Sequence, residues 1–473
     1  MVHENETSFH NCREKRLNIF HNMNMIKTMS TIVTTAPAIL DLSSIRAQFP
    51  ALSQTVNGYA AAFLDGPGGT QVPQRVIDAI SNYLGRNNAN TCGAYATSRN
   101  TDAMLADARA AMADFLNCGA DEIVFGPNMT TLTYMMSRAI ARGIDGRDLG
   151  PGDEILVTRL DHDANVSPWV ALEEKGVTIR WAEIHTGDCT LDVEDLASKL
   201  NSKTKLVAIG YASNAVGTIN PVKEIVRLAH AAGALAYVDA VHYGPHGLID
   251  VATLDCDFLV CSTYKFFGPH MGVLFGKREH LERPRPYKVR PLTDAVPNRW
   301  EWGTLNHECI AGITACVEYI ADLGRHADPT SRNEREKWGT QTQATTRRAA
   351  IVAAFESIHR HEHALMSRLM ARLSEITQLK IYGITDPSCF AWRCPTLAVR
   401  VVNQTGDQTP LALATKLGDR GFFTWDGNYY ALNLTERLDV EKSGGSLRIG
   451  LVHYNTTEEV DRLLAALKEI VGS

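Results

Sequence analysis

The stretch from residue 205 to residue 263 alternates short apolar runs with one amphipathic run, and this alternation restricts the fold most strongly. The apolar runs are apolar at almost every position, which is typical of strands buried on both faces of a sheet. Parallel strands joined by helices give such buried strands. We therefore predict a mostly parallel sheet from the runs "KLVAIGYAS", "PVKEIVRLAHAAG", "LAYVDAV" and "CDFLVCST".

The amphipathic run has clear start and stop signals for a helix. Pro221 lies at its first turn and Gly233 follows its last apolar residue, the usual placement of these two residue types. One face carries Val222, Ile225, Val226 and Ala229. The same alternation precedes it. We predict strands for "DEIVFG", "DEILVTRL" and "VTIRWAEI", and helices for "TLTYMMSRAIARG" and "SPWVALEEKG".

Composition excludes several classes of protein. The chain has 473 residues, of which 45% are hydrophobic and 21% charged, with a formal net charge of -6. This is typical of a globular protein with more than one domain. Acidic and basic residues are mixed along the chain, so we expect no nucleic-acid partner. No apolar run is long enough to span a membrane, so we expect no membrane partner.

The cysteines and the N-terminal segment suggest a cytoplasmic protein. Ten cysteines are scattered without a C-x-x-C pair, which favours reduced thiols over disulfides or a zinc site, and we expect no metal. Residues 1–38 lack the apolar core of a secretory signal, and their three glutamates argue against a transit peptide. We predict that residues 1–38 are a disordered extension.

Polar residues follow the predicted strands. In open α/β sheets, ligands bind at the carboxyl ends of the strands. "GPNMTT" contains Thr130 and Thr131 at a predicted helix start, where an anion can bind, although Thr130 could equally be a simple N-cap. His162 in "LDHDANVSPW" and Asn214 in "YASNAVGT" follow two further strands.

The strand "LAYVDAV" ends in a carboxylate, and the strand "CDFLVCST" is followed by a lysine. Asp239 needs a cationic partner if it is buried, and His242 lies three residues further on. Lys265 lies in "STYKFFGPHMG" among small residues that leave the backbone accessible. A lysine at a strand end is most often a solvated surface residue.

One ligand suits all of these groups, namely pyridoxal 5'-phosphate. Its phosphate can bind at a helix N-terminus, and its ring nitrogen can pair with a carboxylate. Its phenolic oxygen needs a hydrogen-bond donor, its ring face needs a flat partner, and its aldehyde needs an amine. Lys265 would be that amine, bound to the cofactor as a Schiff base and later acting as a general base.

The stretch "LAYVDAVHYGPHGLIDVATLDCDFLVCSTYKFFGPHMGVLFGKRE" resembles the class V aminotransferases, specifically cysteine desulfurase-like proteins. The resemblance runs from about residue 60 to residue 470. It implies a fold-type I pyridoxal phosphate-dependent transferase of the α/β class, with a mostly parallel seven-stranded sheet in a large domain and a small C-terminal α+β domain. The implied domains are residues 39–328, of which 39–60 belong partly to the small domain, and residues 329–473.

The resemblance also implies roles for single residues. Lys265 is the Schiff-base lysine, Asp239 the partner of the ring nitrogen, His162 the ring stacked on the cofactor and Asn214 the donor to its phenolic oxygen. Phosphate contacts are implied for Thr130, Thr131 and Ser262. His242 stands where desulfurases usually have a glutamine, and Tyr264 where they have a histidine that touches the phosphate.

Two further implied roles concern the substrate and the dimer. Thr304 in "EWGTLN" resembles a residue that reaches the phosphate bound by the other subunit, which implies a homodimer. Arg448 in "LRIGLVHYNT" resembles the arginine that binds the α-carboxylate of the substrate.

The sequence also lacks the cysteine that a desulfurase uses to take up sulfur. A desulfurase carries a cysteine on a loop shortly before the carboxylate-binding arginine, where a thiolate takes up sulfur. No cysteine lies between Pro395 and Ser473, and the corresponding region reads "GFFTWDGNYYALNLTERLDVEKSGGS". Cys92, Cys389 and Cys394 are weaker candidates for a replacement nucleophile.

These features predict an enzyme that cleaves a Cβ substituent of a small L-amino acid without a persulfide cysteine. One alternative is decarboxylation of aspartate followed by addition of the Cβ nucleophile to an aldehyde, as in natural-product pathways. A second alternative is an aminotransferase or an amino-acid epimerase. A third, of another class, is a catalytically silent dimer that binds the cofactor.

Overall fold

The computed structural model describes residues 40–143, 146–327, 346–402 and 408–472, and these described residues belong to one compact unit. The predicted N-terminal extension and most of the segment that connects the two predicted domains lie outside the described residues. Of the helices in the described ranges, none is both long and apolar enough to cross a membrane.

The core of the structure is a seven-stranded sheet. Its spatial order is β4, β12, β11, β10, β9, β5, β6. Only β12 runs against its neighbours, since β4 and β11 both pair with it in antiparallel orientation and the other pairs are parallel. The strands are β4 (Ile123–Gly126), β5 (Glu154–Thr158), β6 (Thr178–Ala182), β9 (Thr204–Gly210), β10 (Leu235–Asp239), β11 (Phe258–Ser262) and β12 (Gly272–Gly276). The predicted mostly parallel sheet is confirmed.

Both faces of this sheet are buried, as the continuous apolar runs predict. Alternate residues of a strand point to opposite faces. In β9, Val207 and Ile209 belong to one buried cluster, whereas Leu206 and Ala208 belong to another. Burial of side chains on both faces removes apolar surface from water, the main favourable term in folding.

The helices before, between and directly after these strands are α1 (Leu42–Arg46), α2 (Gln74–Arg86), α3 (Ala96–Leu116), α4 (Met129–Ile140), α5 (Ser167–Val170), α6 (Val193–Lys199), α7 (Val222–Ala231), α8 (Val251–Leu254) and α9 (Arg278–Glu282). The sequence predicted α7 well. Its buried residues are the predicted Val222, Ile225, Val226 and Ala229, and Gly233 has a left-handed φ of 78°. The predicted helix "SPWVALEEKG" is instead the short α5 followed by a 3-10 turn.

Two long helices, α10 (His307–Ala327) and α11 (Arg347–Leu373), pack against each other. The second half of α11 supplies Leu365, Met366 and Leu369 to a separate buried cluster, which includes Ala62 and Leu64 from the N-terminal part of the chain. The last three helices are α12 (Pro410–Gly418), α13 (Leu432–Arg437) and α14 (Thr457–Gly472).

A second sheet of four antiparallel strands lies over this separate cluster, in the order β13, β14, β17, β16. These strands are β13 (Leu379–Tyr382), β14 (Thr396–Val401), β16 (Trp425–Gly427) and β17 (Ser446–Gly450). The remaining strands form two-stranded pairs, namely β1 (Thr55–Val56) with β2 (Tyr59–Ala60), β3 (Ala62–Phe63) with β15 (Phe422–Phe423), and β7 (Ile184–His185) with β8 (Thr190–Leu191). The division into domains at residue 328 stays a prediction.

Candidate active site

Lys265 lies in a 3-10 turn that directly follows β11. Its side chain is half-buried, and Nζ donates hydrogen bonds to the carbonyl oxygens of Pro67, at 2.5 Å, and Gly68, at 2.9 Å. The pKa of Lys265 is lowered from 10.5 to about 7, mainly by burial and also by the positive charge of Arg448, against the opposing effect of two carboxylates. A neutral amine has two N–H donors, so these two bonds leave its lone pair free to attack an aldehyde.

Asp239 is the last residue of β10 and is 8% exposed. Its Oδ1 accepts a hydrogen bond of 2.8 Å from the backbone N–H of Val241, and none of the described residues donates to Oδ2. Burial raises the pKa of Asp239 to about 7, with a smaller contribution from the charge of Asp161. A buried carboxylate with one oxygen unpartnered suits a cationic ligand.

The start of α4 lies beside the end of β11. Asn128, and not Thr130, caps this helix, because the Asn128 side chain accepts a hydrogen bond of 2.8 Å from Thr131 N–H. Thr130 and Thr131 are exposed. The buried Ser262 accepts a hydrogen bond of 3.1 Å from Met129 N–H. A helix N-terminus with two exposed hydroxyls suits a phosphate group.

Gly272 allows this close approach of strand and helix. A Cβ atom at Gly272 would lie 2.4 Å from the carbonyl carbon of Asn128, which is far inside van der Waals contact. The glycine at the end of "STYKFFGPHMG" therefore lets the backbone of β12 pack directly against the start of α4.

His162 follows β5 and is half-buried. Its Nδ1 accepts a hydrogen bond of 3.0 Å from Ala164 N–H, so Nδ1 carries no proton. The pKa of His162 is lowered to about 4, mainly by burial and also by the charges of Lys265 and Arg448. Its neutral ring stacks on the ring of Tyr430, with centroids 5.5 Å apart and an interplanar angle of 29°.

Arg448 lies on β17 and is 4% exposed. Its Nη2 forms an ion pair of 2.9 Å with Asp65 Oδ1, and Nη1 donates at 3.2 Å to the carbonyl oxygen of Asn214. Its guanidinium carbon lies 4.4 Å from the ring centroid of Tyr429. Nε is buried and has no hydrogen-bond partner within the described ranges, so the guanidinium keeps a free donor.

The segment that contains Tyr429 and Tyr430, where the resemblance implies the loop of a desulfurase, docks against these residues. Asn214 Nδ2 donates at 2.8 Å to the carbonyl oxygen of Tyr429, and Asp163 N–H donates at 2.7 Å to that of Tyr430. The two tyrosines have left-handed φ angles of 55° and 60°, each costing about 1–2 kcal/mol for a side-chain-bearing residue. Tyr429 is buried, whereas Tyr430 is 72% exposed. The strain and the docking place an aromatic pair beside His162 and Arg448.

The other predicted residues lie in varied surroundings. Asn214 Oδ1 is buried without a hydrogen-bond partner among the described residues. The ring of Tyr264 stacks on His270 and lies 4.8 Å from Lys265 Nζ. His242 is 4% exposed and lies beside His246, with ring centroids 5.3 Å apart. Thr304 is exposed. The predicted roles of these residues stay predictions.

The three cysteines that could replace the loop cysteine lie in different surroundings. Cys92 is exposed, and its backbone N–H donates to the carboxylate of Asp102. Cys389 is partly exposed and Cys394 is buried. None of these three cysteines lies in the segment that docks on His162 and Asn214.

Sequence reasoning missed Asp65, Asn128 and Tyr430. Asp65 occurs in "FLDGPGGT", where a carboxylate directly before a Gly-Pro-Gly-Gly turn was a usable signal. Burial raises the pKa of Asp65, while the nearby Arg448 lowers it. Only the fold joins Asp65 to Arg448, since 383 residues separate them in the chain.

These residues fit pyridoxal 5'-phosphate. Lys265 presents a desolvated amine. Asp239 presents a carboxylate, and none of the described residues donates a hydrogen bond to one of its two oxygens. The start of α4 presents two exposed hydroxyls. The unpartnered amide of Asn214 and the flat ring of His162 complete the set of groups that the cofactor uses.

Comparisons with known proteins support the same chemistry. The family model described as "Aminotransferase class-V" matches residues 62–349 and 342–463. A probable cysteine desulfurase of Halalkalibacterium halodurans is 30% identical over 91% of this chain and 98% of its own length. An aminotransferase-like protein of Gibberella zeae is 30% identical over the same shares.

Solved structures share the fold. The apo structure of a cysteine desulfurase from Thermococcus onnurineus NA1 has a TM-score of 0.77 at 23% identity, covering 93% of this chain and all of that one. A cysteine desulfurase from Escherichia coli has a TM-score of 0.72 at 24% identity, covering 92% of this chain and 99% of that one. The chain thus belongs to the class-V aminotransferase family and is a pyridoxal phosphate-dependent enzyme similar to the cysteine desulfurases.

Proposed function

We propose that this enzyme acts on a small L-amino acid and cleaves a substituent from its Cβ without a persulfide cysteine. The observation that supports the proposal most directly is the pair Tyr429 and Tyr430. The resemblance to desulfurases calls for a sulfur-accepting cysteine in this part of the chain, but two tyrosines dock there beside His162 and Arg448.

The cofactor would be held by the residues that surround Lys265. Asp239 would face its ring nitrogen, Asn214 its phenolic oxygen and His162 its ring, and Lys265 would bind its aldehyde. Thr130, Thr131, Ser262 and Tyr264 would bind its phosphate, together with Thr304 of the second subunit, and His242 would lie beside it. Bound pyridoxal phosphate supplies an electron sink that stabilises negative charge at the carbon atoms of the substrate.

Lys265 is suited to moving protons on the substrate. Because its pKa is about 7, its amine can both accept and return a proton near neutral pH. The same amine can therefore remove the proton from Cα and deliver one to Cβ.

Arg448 would bind the α-carboxylate of the substrate. Asp65 already holds Nη2, so a substrate carboxylate would either share the guanidinium through its unpartnered Nε or displace Asp65. A buried arginine with a free donor binds carboxylates strongly because the surrounding protein excludes water.

Substituents that leave unaided need no protein thiol. Aspartate can lose its β-carboxylate as carbon dioxide, and cysteine sulfinate can lose sulfur dioxide. The bonding electrons stay on Cβ, which takes up a proton to give alanine. In an alternative outcome Cβ attacks an aldehyde and forms a carbon–carbon bond, and the exposed ring of Tyr430 would offer an apolar contact for that aldehyde.

Two further alternatives use the same scaffold. The names of the relatives include both cysteine desulfurase and aminotransferase-like protein, so transamination or epimerisation at Cα must be separated by experiment from cleavage at Cβ. A catalytically silent dimer would turn over no amino acid. We also propose that the enzyme is a homodimer, because the exposed Thr304 would complete the site of a second subunit. A cytoplasmic location is proposed because the ten cysteines include no C-x-x-C pair.

Isotope labelling tests the proposal. The purified protein is incubated in deuterated water with aspartate, cysteine, cysteine sulfinate or alanine, and deuterium in the products is located by NMR. We expect alanine deuterated at Cβ from at least one of the first three substrates, and none from a Lys265→Ala control. Deuterium confined to Cα with all four substrates would refute the proposal, and so would the absence of any turnover.

Adding aldehydes to the same reaction tests carbon–carbon bond formation. A product that contains both the Cβ of aspartate and the aldehyde carbon would identify that outcome. Sedimentation of the holoenzyme tests the dimer, and a monomer at assay concentration would contradict it.

A further inference from the structure

Three buried side chains with metal-binding atoms converge at one point, and of these three only His242 is also proposed to lie beside the cofactor. A ring nitrogen of His242, a ring nitrogen of His246 and Sγ of Cys394 all lie within 4.8 Å of one another. Their side chains are 4%, 4% and 1% exposed. The spacing of the cysteines along the chain predicts no metal site. The fold, however, brings Cys394 to two histidines that are about 150 positions away in the chain.

A carboxylate fixes the orientation of one of these histidines. Glu362 on α11 is 3% exposed, and its Oε2 lies 2.8 Å from His246 Nδ1. A carboxylate accepts the proton of Nδ1, which leaves Nε2 as a free acceptor. Histidines that bind metals commonly donate their other ring N–H to a carboxylate in this way.

One ring nitrogen of each histidine has no hydrogen-bond partner among the described residues. Nε2 of His246 and Nε2 of His242 are both buried, and neither forms a hydrogen bond with any described residue. A buried polar atom without a partner costs about 1–3 kcal/mol. Two such atoms beside a buried thiol indicate a ligand that binds all three groups.

A cavity of about 80 Å³ leads to this cluster and is lined by His246, Glu362 and Cys394. His359 and His363 also line it, and both are exposed. They are one turn apart on α11, with ring centroids separated by 6.1 Å. The cavity is large enough for an ion with a water ligand, and this histidine pair gives the ion a path of entry.

We propose that His242, His246 and Cys394 bind a Zn²⁺ ion, with Glu362 orienting His246 and a water in the cavity as fourth ligand. Two imidazoles and a thiolate are ligands that Zn²⁺ prefers. Zinc bonds of about 2.0–2.3 Å place tetrahedral ligand atoms roughly 3.3–3.8 Å apart, so the cluster closes by about 1 Å on binding. The thiol of Cys394 releases its proton to solvent as Sγ bonds to the metal.

The charge balance at this site makes Glu362 important. Arg393 is a buried cation next to Cys394, and its guanidinium donates to the backbone carbonyls of Val216 and Thr396. A divalent ion beside it therefore needs both the thiolate and the Glu362 carboxylate. The ion would link the turn after β10 to the residues that lead into β14. The proposal does not depend on the substrate or on the chemistry at Cβ.

Metal analysis of the holoenzyme tests the proposal. The protein is equilibrated with zinc chloride, dialysed against metal-free buffer and analysed by plasma mass spectrometry. We expect about one zinc ion per chain in the native protein and none in Cys394→Ala or His246→Ala. Cys256→Ala is the matched control, because Cys256 is equally buried and lies outside the cluster, and it should retain the ion. Glu362→Gln should weaken zinc binding about 10- to 100-fold.

A second measurement on the native protein keeps the test independent of the folding of variants. Cobalt(II) bound to a thiolate gives a charge-transfer band, and four-coordinate cobalt(II) gives intense d–d bands at longer wavelengths than the cofactor absorbs. We expect both in the native holoenzyme after addition of cobalt chloride, and their loss on addition of zinc. A native protein that retains no zinc and shows no thiolate-to-cobalt band would overturn the proposal, as would a Cys394→Ala protein that retains zinc fully.

Discussion

Asp239 should destabilise the protein in the absence of cofactor, and Asp239→Asn should relieve this effect in a pH-dependent way. The carboxyl group is 8% exposed, and burial raises its pKa from 3.8 to about 7. The folded apoprotein therefore binds this proton more tightly than the unfolded chain does. Folding is unaffected by Asp239 where both states are protonated, below about pH 4, and its destabilising effect is complete above pH 7.

The size of the effect follows from the two pKa values. A shift of about three units corresponds to about 4 kcal/mol at pH 8, of which about 1.5 kcal/mol is already present at pH 5. The free energy of unfolding of Asp239→Asn minus that of the native apoprotein should therefore increase by about 2.5 kcal/mol between pH 5 and pH 8. Denaturant titrations of both apoproteins at several pH values measure this difference.

Asp257→Asn is a matched control with the opposite expectation. Asp257 is also a buried carboxylate, directly before β11, and its oxygens accept hydrogen bonds from the backbone N–H of Ala236 and from Lys277. Burial alone would raise the pKa of Asp257, but its hydrogen bonds hold that pKa below its ordinary value. An amide N–H₂ would face some of these donors, so Asp257→Asn should be less stable than the native protein at pH 8. If the stability difference for Asp239→Asn does not change between pH 5 and pH 8, the assignment of a raised pKa to Asp239 is wrong.

Three further predictions concern the groups around the cofactor. The rate at which the apoprotein captures pyridoxal phosphate, followed by visible absorbance, should rise with pH, reach half its maximum near pH 7 and level off above about pH 8, because the pKa of Lys265 is about 7. A rise that continues above pH 9 would contradict this prediction. At pH 7 an amine with a pKa of 10.5 would react roughly a thousandfold more slowly. Asp65→Asn should tighten the binding of small carboxylates several-fold, because it removes the anion that is paired with Arg448. A spectral titration measures this affinity, and unchanged or weaker binding would show that Asp65 does not compete with carboxylates for Arg448. Tyr430→Ala should raise the pKa of His162 from about 4 towards 6.5, because the stacked ring helps to bury the imidazole. NMR titration measures this pKa, and an unchanged pKa would show that Tyr430 does not contribute to the burial of His162.

The sequence was most informative where one local pattern determines the structure. The boundaries and buried face of α7 followed from Pro221, Gly233 and the apolar spacing between them. Asp239 and Lys265 could be placed at strand ends because a strand in a buried sheet is recognisable as a continuous apolar run.

Contacts between distant segments could not be predicted in the same way. The pairing of Asp65 with Arg448 and the stacking of Tyr430 on His162 depend on how the two sheets meet, and no local pattern encodes that arrangement. The cap of α4 was missed for a different reason, because Asn128 and Thr130 are both good N-cap residues and only the dihedral angles of the loop decide between them. The cluster of His246 and Cys394 was missed because its members lie on separate elements without metal-site spacing.

Borohydride reduction followed by peptide mapping identifies the lysine that binds the cofactor. Protein saturated with pyridoxal phosphate is reduced with sodium borohydride and digested, and the modified peptide is identified by mass spectrometry. The reduced adduct should lie on Lys265, and Lys265→Ala should form no adduct. Lys277→Ala is the control, since it removes a lysine that is paired with Asp255, and it should still form the adduct. An adduct on another lysine, or no adduct in saturated protein, would show that Lys265 does not bind the cofactor.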